Sequence, residues 1–233
     1  EPDRRARPLN EGHARQGRGG KGEGEKMRSR DNRDPGLHLV PGRPGHPIRL
    51  LGTLSGVIHP YPTHLSTRIQ LSDGTDIVIR PIRPEDADME QEFVRKLSPE
   101  AKYFRFMNAL QELSQEMLVR LTQIDYWNEM ALIAVKPNGG TAEQIGVARY
   151  TTNLDLRSCE FALVVSDAWQ GHGIGHQLMR KLMEVARDRG LERMQGQVLS
   201  NNSRMLNLMR SLNFTIAPDP DDIAVKVVDI GLN

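Results

Sequence analysis

Hydrophobic and polar residues alternate along several short stretches of the chain, which is the pattern of half-buried β-strands. The clearest is 76–82 (DIVIRPI), which follows an Asp73-Gly74 turn signal. Other apolar runs of strand length also lie between turn signals. They cover residues 130–135, 145–150, 159–165, 194–199, 214–216 and 223–230. Strands are therefore predicted along the whole chain beyond residue 75.

In other stretches apolar residues recur every three or four positions, the period of an amphipathic helix. The clearest is 176–189, with Leu178, Leu182 and Val185 in one stripe and Gly190 where a helix ends. Shorter helices begin at residues that favour helix starts. These are Pro84, Ser98, Ser114, and Asn202 or Ser203. The order β-α-α-α-β-β-β-α-β-α-β-β predicts an α/β layered domain with a mixed sheet.

The first part of the chain has a different composition. Residues 1–48 hold 9 of the 21 glycines and 6 of the 14 prolines, so we predict a disordered basic tail. Residues 1–50 carry 12 Lys and Arg against 7 Asp and Glu, and residues 51–233 carry 19 against 23. A nucleic-acid-binding arm is not predicted, because no aromatic residue interleaves with these charges. Residues 49–70 are interpreted as a linker, and the body is predicted to span 71–233.

Composition also limits the compartment and the chemistry. The chain has one cysteine, Cys159, so no disulfide within the chain is possible, which suits a reducing, cytoplasmic setting. No stretch reaches about 20 consecutive apolar residues, so no membrane span is expected. The histidines lack partners at metal-ligand spacing, so no metal site is predicted.

The chemical motif of the chain is a glycine-rich loop, QGHGIG at 170–175, between a strand and a helix. A dinucleotide fingerprint would need a third glycine at position 176, which is His176. A nucleotide P-loop would need G-x-x-x-x-G-K-[ST], which is missing. The remaining pattern is Gln170-x-x-Gly173-x-Gly175. Its glycines would let backbone N–H groups approach an anion at a helix N-terminus.

This pattern resembles the pyrophosphate loop of the GNAT acetyltransferases, and the following helix carries their second signature at Asn202, Met205, Leu208 and Phe214. The resemblance covers about residues 71–233. It implies a GNAT fold, in which a mixed, mostly antiparallel central sheet is flanked by helices. It also implies acetyl-CoA as cosubstrate. The residues implied to contact it are Val164, Val165, Gln170, Gly171, His172, Gly173, Ile174, Gly175 and Asn202.

Within this family, residues 73–126 look like the acetyltransferase domain of bacterial Pat-type protein lysine acetyltransferases. That resemblance implies a lysine of another protein as acceptor, acyl-CoA synthetases among the targets. No nucleic-acid or membrane partner is implied.

The acid–base chemistry is predicted to centre on Glu160. An amine must lose its proton before it attacks a thioester, and a carboxylate on a mostly apolar strand has a raised pKa that suits a base. The resemblance implies that the amides of Val164 and Val165 bind the oxyanion. The family often places a tyrosine acid where this chain has Met209. Cys159 is not predicted to be a nucleophile, because the adjacent Glu160 would raise the pKa of its thiol.

Two alternatives remain open from the sequence. The same fold could acetylate a small amine or an antibiotic. A CoA-sensing module without turnover is the third hypothesis, and Met209 motivates it.

Overall fold

The computed structural model describes residues 59–107 and 110–233, so the predicted tail at 1–48 lies outside the described residues. Five α-helices and eight strands follow one another along them, in addition to three 3-10 helices of three residues each. In chain order they are β1 (Thr67–Gln70), β2 (Asp76–Pro81), α1 (Ala87–Lys96), α2 (Pro99–Phe106), α3 (Gln115–Thr122), β3 (Glu129–Asn138), β4 (Thr141–Thr152), β5 (Ser158–Val165), α4 (Ile174–Asp188), β6 (Arg193–Leu199), α5 (Ser203–Ser211), β7 (Thr215–Pro218) and β8 (Val225–Gly231).

The eight strands form one sheet in the order β1-β2-β3-β4-β5-β6-β8-β7. Neighbouring strands are antiparallel except β5 and β6, which run parallel on either side of the α4 crossover. The predicted mixed, mostly antiparallel sheet is therefore confirmed.

Helices cover both faces of this sheet. We call the side packed by α1–α3 the front face and the side packed by α4 and α5 the back face. The front core includes Phe93, Leu121 and Val164, and the back core includes Leu178 and Met209. Alternate strand residues point to opposite faces, so each strand contributes to both cores.

Strands β5 and β6 pair over only three residue pairs, Ser158–Arg193, Cys159–Met194 and Glu160–Gln195. Beyond Glu160, β5 continues beside β4, whereas β6 continues beside β8. We call the wedge between them the strand gap. One edge of β5 therefore carries backbone groups that make no ladder with β6, and this edge positions the candidate site.

The structure extends several predicted elements and adds one strand. Residues 67–70, interpreted as part of a linker, form β1 and pair with β2, so the sheet begins before Leu71. Helix α4 starts at Ile174 rather than at 176, because Gly173 adopts a left-handed conformation and serves as its N-cap. Ile223, predicted to lie in a strand, is 93% exposed and precedes β8. Among the described residues, no helix is long and apolar enough to cross a membrane.

Candidate active site

The principal concavity of the candidate site lies where the glycine-rich loop meets the end of β5. We call it the large cleft. Its volume is about 790 Å³, within the range of roughly 300–1,000 Å³ common for ligand sites. It is lined by part of α2, by the last residues of β5, by the loop before α4 and by the start of α5.

The glycine-rich loop presents the N-terminus of α4 to this cleft. Gly171 and Gly173 have φ values of 85° and 81°, a conformation that costs other residues free energy. The N–H groups of Ile174, Gly175 and His176 open the helix, so they have no acceptor within it. Together with the helix dipole they form a site for an anion.

Gln170 fixes the loop on both sides. Its Nε2 donates to the carbonyl of Val165 at 3.1 Å, and its Oε1 accepts from Nη1 of Arg204 on α5. The glutamine of the motif therefore holds the loop against β5 and α5, while the glycines face the cleft.

His172 is expected to contact acetyl-CoA, and the structure shows which contacts its side chain makes within the protein. Its side chain does not line the cleft; its Nδ1 lies 3.2 Å from the carbonyl oxygen of Gln170, and its Nε2 lies 3.9 Å from a carboxylate oxygen of Asp73. His176 and Arg204 line the cleft instead. Arg204 could have been suspected from its place in the first turn of the predicted second-signature helix.

The backbone of β5 also departs from expectation. Ser166 N donates to Ile145 O at 2.9 Å and Asn153 N donates to Ser158 O at 2.8 Å. The β4–β5 register is continuous, so the even-numbered residues of β5 direct their peptide groups to β4. The amide of Val164 thus lies within the sheet. Leu163 and Val165 direct theirs into the strand gap, whereas Val164 lines the large cleft with its other atoms. We therefore propose Leu163 and Val165 as the residues whose amides face the donor.

Glu160 lies at the closed end of the strand gap, in the last residue pair that joins β5 to β6. Burial raises the pKa of its carboxyl group to about 7. A carboxylate with that pKa is both ionised and basic near neutral pH. The structure therefore gives Glu160 the protonation behaviour that the sequence predicts for it.

A consequence of this raised pKa is a pH-dependent stability cost. The folded pKa of about 7 exceeds the ordinary value of 4.5, so stability is lost as the pH rises through this interval. Glu160→Gln is expected to raise the free energy of unfolding by about 3 kcal/mol at pH 8 and by under about 1 kcal/mol at pH 5. Urea unfolding of both proteins at both pH values measures this difference. An equal difference at the two pH values would contradict it.

Of the other candidate residues, Asn202 lines the large cleft, whereas Met209 and Cys159 are buried in the core. Asn202 caps α5, with its Oδ1 accepting from Met205 N at 3.1 Å, and it lines the large cleft. Met209 is fully buried in the back core and does not line the large cleft. Cys159 is also buried, and burial raises the pKa of its thiol to about 12, so a thiolate nucleophile is disfavoured.

Ser98, the N-cap residue of α2, also forms hydrogen bonds that hold α2 beside the large cleft. Ser98 Oγ accepts from Ala101 N at 3.1 Å and donates to Asp167 at 2.7 Å, and Ser98 N donates to the same carboxylate at 2.9 Å. Asp167 belongs to the segment that leads from β5 into the glycine-rich loop. The start of α2 is thereby held against this segment.

Ser98→Ala is expected to raise the KM for the cleft ligand about three- to tenfold, because α2 loses its cap and the hydroxyl hydrogen bond to Asp167, and only the backbone hydrogen bond to Asp167 remains. Ser114→Ala is the matched control: Ser114 caps α3 by accepting from Met117 N at 3.2 Å. Each variant should lose about 1 kcal/mol of stability. Steady-state kinetics and thermal melts measure both effects. Equal KM values for the two variants would show that the hydroxyl hydrogen bond to Asp167 has no role in binding.

Comparison with known proteins agrees with this geometry. The model of the GNAT acetyltransferase family matches residues 94–214. An acetyltransferase of Pseudomonas aeruginosa is 37% identical over 152 residues, covering 65% of this chain and 82% of that protein. Acetyltransferase Pat of Mycolicibacterium smegmatis is 28% identical over 203 residues, covering 86% of this chain but 58% of that longer protein.

Among solved structures, the GNAT domain of S. lividans PAT superposes with a TM-score of 0.67 at 29% identity. The match covers 74% of this chain and 99% of that domain. Fold, loop and sequence therefore agree with the predicted relation to Pat acetyltransferases. This chain belongs to the GNAT acetyltransferase family.

Proposed function

We propose that this protein transfers an acetyl group from acetyl-CoA to the side-chain amine of a lysine in another protein. The observation that carries the proposal is the order of groups along β5. The amides at the start of α4 come first, then the open edge at Val165 and Leu163, and then Glu160 at the closed end of the strand gap. Phosphate binding, thioester placement and proton removal each find a suitable group in this order.

The donor end of the site suits the pyrophosphate of CoA. The amides of Ile174, Gly175 and His176 and the dipole of the 15-residue α4 favour negative charge. Arg204 lines the same cleft. The edge of β5 offers the N–H groups of Val165 and Leu163 and the C=O group of Leu163 to an extended pantetheine arm, as a strand edge does for a peptide.

The reacting end of the site is where the proton is removed. Glu160 takes a proton from the lysine ammonium, directly or through water, and the freed amine attacks the thioester carbonyl. Backbone N–H groups on the edge of β5 stabilise the resulting oxyanion. The C–N bond forms, the C–S bond breaks, and the thiolate departs with its electron pair. The new amide nitrogen gives up its second proton to water, and the thiolate is protonated from water, so that the net products are the acetamide and CoA thiol.

A protein acceptor is supported by the front face beyond the strand gap. Helices α1–α3 cover the front face on the β1–β5 side of the strand gap. On the β6–β8 side, the front face presents half-buried polar side chains, among them Gln195, Gln197 and Asp229. The likeness to Pat acetyltransferases also favours a protein substrate. Acyl-CoA synthetases are the proposed targets, and a cytoplasmic location would bring enzyme, acetyl-CoA and target together.

The test is incubation of the purified protein with labelled acetyl-CoA and an acyl-CoA synthetase, followed by detection of acetyl-lysine. Glu160→Gln serves as the reference for non-enzymatic transfer. Acetyl-lysine above that reference supports the proposal. Thiol release with polyamines or aminoglycosides but with no protein would favour a small-molecule acceptor. Tight CoA binding without transfer to any acceptor would indicate a regulatory module.

A further inference from the structure

A second, smaller cavity lies within the strand gap. Its volume is about 40 Å³, and residues 161–163 of β5, Gln197 and Val198 of β6 and Arg105 of α2 line it. We call it the small cavity. It shares Arg105 and Leu163 with the large cleft. At roughly 10–15 Å³ per water-sized probe, it has room for about three non-hydrogen atoms.

The small cavity lies between the edge of β5 that is proposed to hold the thioester and Glu160, the proposed base. The open edge of β5 reaches it at Leu163, and Glu160 closes the strand gap beyond Phe161. Glu160 pairs with Gln195, and Gln197 lies two residues further along β6. Met194 and Val198 point to the back core, so Gln195 and Gln197 lie on the front face. On the front face, Gln197 is therefore the next β6 side chain after Gln195, the partner of Glu160, in the direction of the large cleft.

Two buried polar atoms on residues that line this cavity have no hydrogen-bond partner among the described residues. They are Nη1 of Arg105, a donor, and Oε1 of Gln197, an acceptor. The other end of the Gln197 amide is engaged, since its Nε2 donates to Asp219 at 3.1 Å. A buried polar group without a partner is costly, and a charged one more so. Such a pair beside a cavity is explained by a ligand that accepts from one atom and donates to the other.

The charges around Arg105 favour an electron-rich partner. Burial and the neighbouring Arg149 lower the pKa of its guanidinium to about 9, with Glu90 opposing them. The Glu90 carboxylate accepts from Nε2 of Gln144. Within residues 59–107 and 110–233, no carboxylate lies at ion-pair distance from Arg105. A guanidinium remains protonated at neutral pH under these conditions, so its free donor suits an oxygen that gains negative charge.

We propose that the small cavity holds the reacting groups, with Arg105 donating to the acyl oxygen and Gln197 Oε1 accepting from the incoming amine. This inference rests on the proposed function. It makes Arg105 a second donor to the oxyanion, beside the β5 edge. It makes Gln197 the group that orients the amine toward the carbonyl carbon while Glu160 removes its proton.

Arg105→Met tests the first assignment. It is expected to lower kcat by roughly 10- to 100-fold, because the donor acts when charge develops on the oxygen. The KM for acetyl-CoA should be unchanged. The fall of kcat/KM below about pH 7, which is attributed to protonation of Glu160, should also be unchanged. The melting temperature should not fall, since the variant removes a cation that has no ion-pair partner among the described residues, and methionine can still pack on the Phe106 ring. An unchanged kcat, a rise in KM for acetyl-CoA alone, or a destabilised protein would overturn the assignment.

Gln197→Met tests the second assignment with a side chain of similar length and no acceptor. It should raise the KM for the lysine acceptor about tenfold and leave the KM for acetyl-CoA unchanged. The double variant Gln197→Glu with Asp219→Asn keeps an acceptor oxygen and a hydrogen bond between these two residues, and it should restore much of the affinity for the amine. An acceptor KM equal to that of wild type in Gln197→Met would overturn the assignment. If wild type itself forms no acetyl-lysine, the proposed function fails; if wild type is active and both Met variants match it, only this inference fails.

Discussion

Glu160→Gln is expected to lower kcat/KM for acetyl transfer by roughly 10²- to 10⁴-fold near pH 7.5, the range that a general base contributes. Glutamine preserves the size and polarity of the side chain but cannot accept the proton of the lysine ammonium. Binding of acetyl-CoA should be unaffected, since Glu160 lies beyond the edge of β5 that is proposed to hold the donor. Single-turnover assays and calorimetric titration with acetyl-CoA separate the two quantities.

The pH dependence of kcat/KM in wild type and in Glu160→Gln tests the role of Glu160 independently. The pKa of Glu160 is about 7, so the base is protonated below this value and kcat/KM should fall about tenfold per pH unit on the acidic side. The variant should lose this limb and retain only the rise due to deprotonation of the acceptor amine. A bend near pH 7 that persists in Glu160→Gln would assign the base to another group.

Glu129 offers a matched control for this experiment. Burial raises the pKa of its carboxyl group as it does for Glu160. Both residues pair with Thr151, from opposite sides of β4, so they share a face but lie two strands apart. Glu129→Gln should leave kcat/KM within about twofold of wild type. An equally large loss in this variant would point to a general effect of buried carboxylates rather than to a base at Glu160.

Gly173→Ala is expected to weaken acetyl-CoA binding by roughly 10- to 100-fold. Gly173 caps α4 at φ 81°, where a residue with a Cβ is strained by about 1–2 kcal/mol. A Cβ at this position would meet no protein atom within 4 Å, so the added methyl group occupies space open toward the ligand. Relief of the strain would also move the amides at the start of α4. Calorimetric titration with CoA measures the loss.

Gly190→Ala controls for the backbone strain alone. Gly190 follows the other end of α4 at φ 78°, and a Cβ there would likewise meet no atom within 4 Å. Both alanine variants should lose similar stability, but only Gly173→Ala should lose affinity for CoA. Equal affinities in the two variants would place the CoA phosphates elsewhere.

The parts of this protein that sequence could predict depend on local rules. The stripe containing Leu178 and Leu182 has helical period, and these residues are fully buried in the back core. The loop motif places Gly171 and Gly173 where left-handed backbone is needed. Asn213 adopts φ 64°, a left-handed conformation that asparagine tolerates better than most residues. Each of these features is decided within a few residues of chain.

The parts that sequence could not predict depend on distant contacts. His172 turns toward Asp73, about 100 residues earlier in the chain. The amide of Val164 is taken up by β4 because of the register between two strands. Arg105 and Gln197 come together only when α2 packs beside the strand gap. Strand β1 has four residues, which is too short for a periodic signal to separate it from a linker.

We infer that acetyl-CoA, when bound along the edge of β5 as proposed, has a mechanical role in addition to a chemical one. Two half-sheets, β1 to β5 and β6 to β7, are joined in the ladder by three residue pairs. A donor lying along the edge of β5 takes the place of the missing strand and lengthens this joint. The enzyme loaded with its donor is thus a stiffer object than the free enzyme, and amide exchange should slow first at Leu163 and Val165. The acceptor would then meet a platform whose two halves have already been locked together by the molecule that carries the acetyl group.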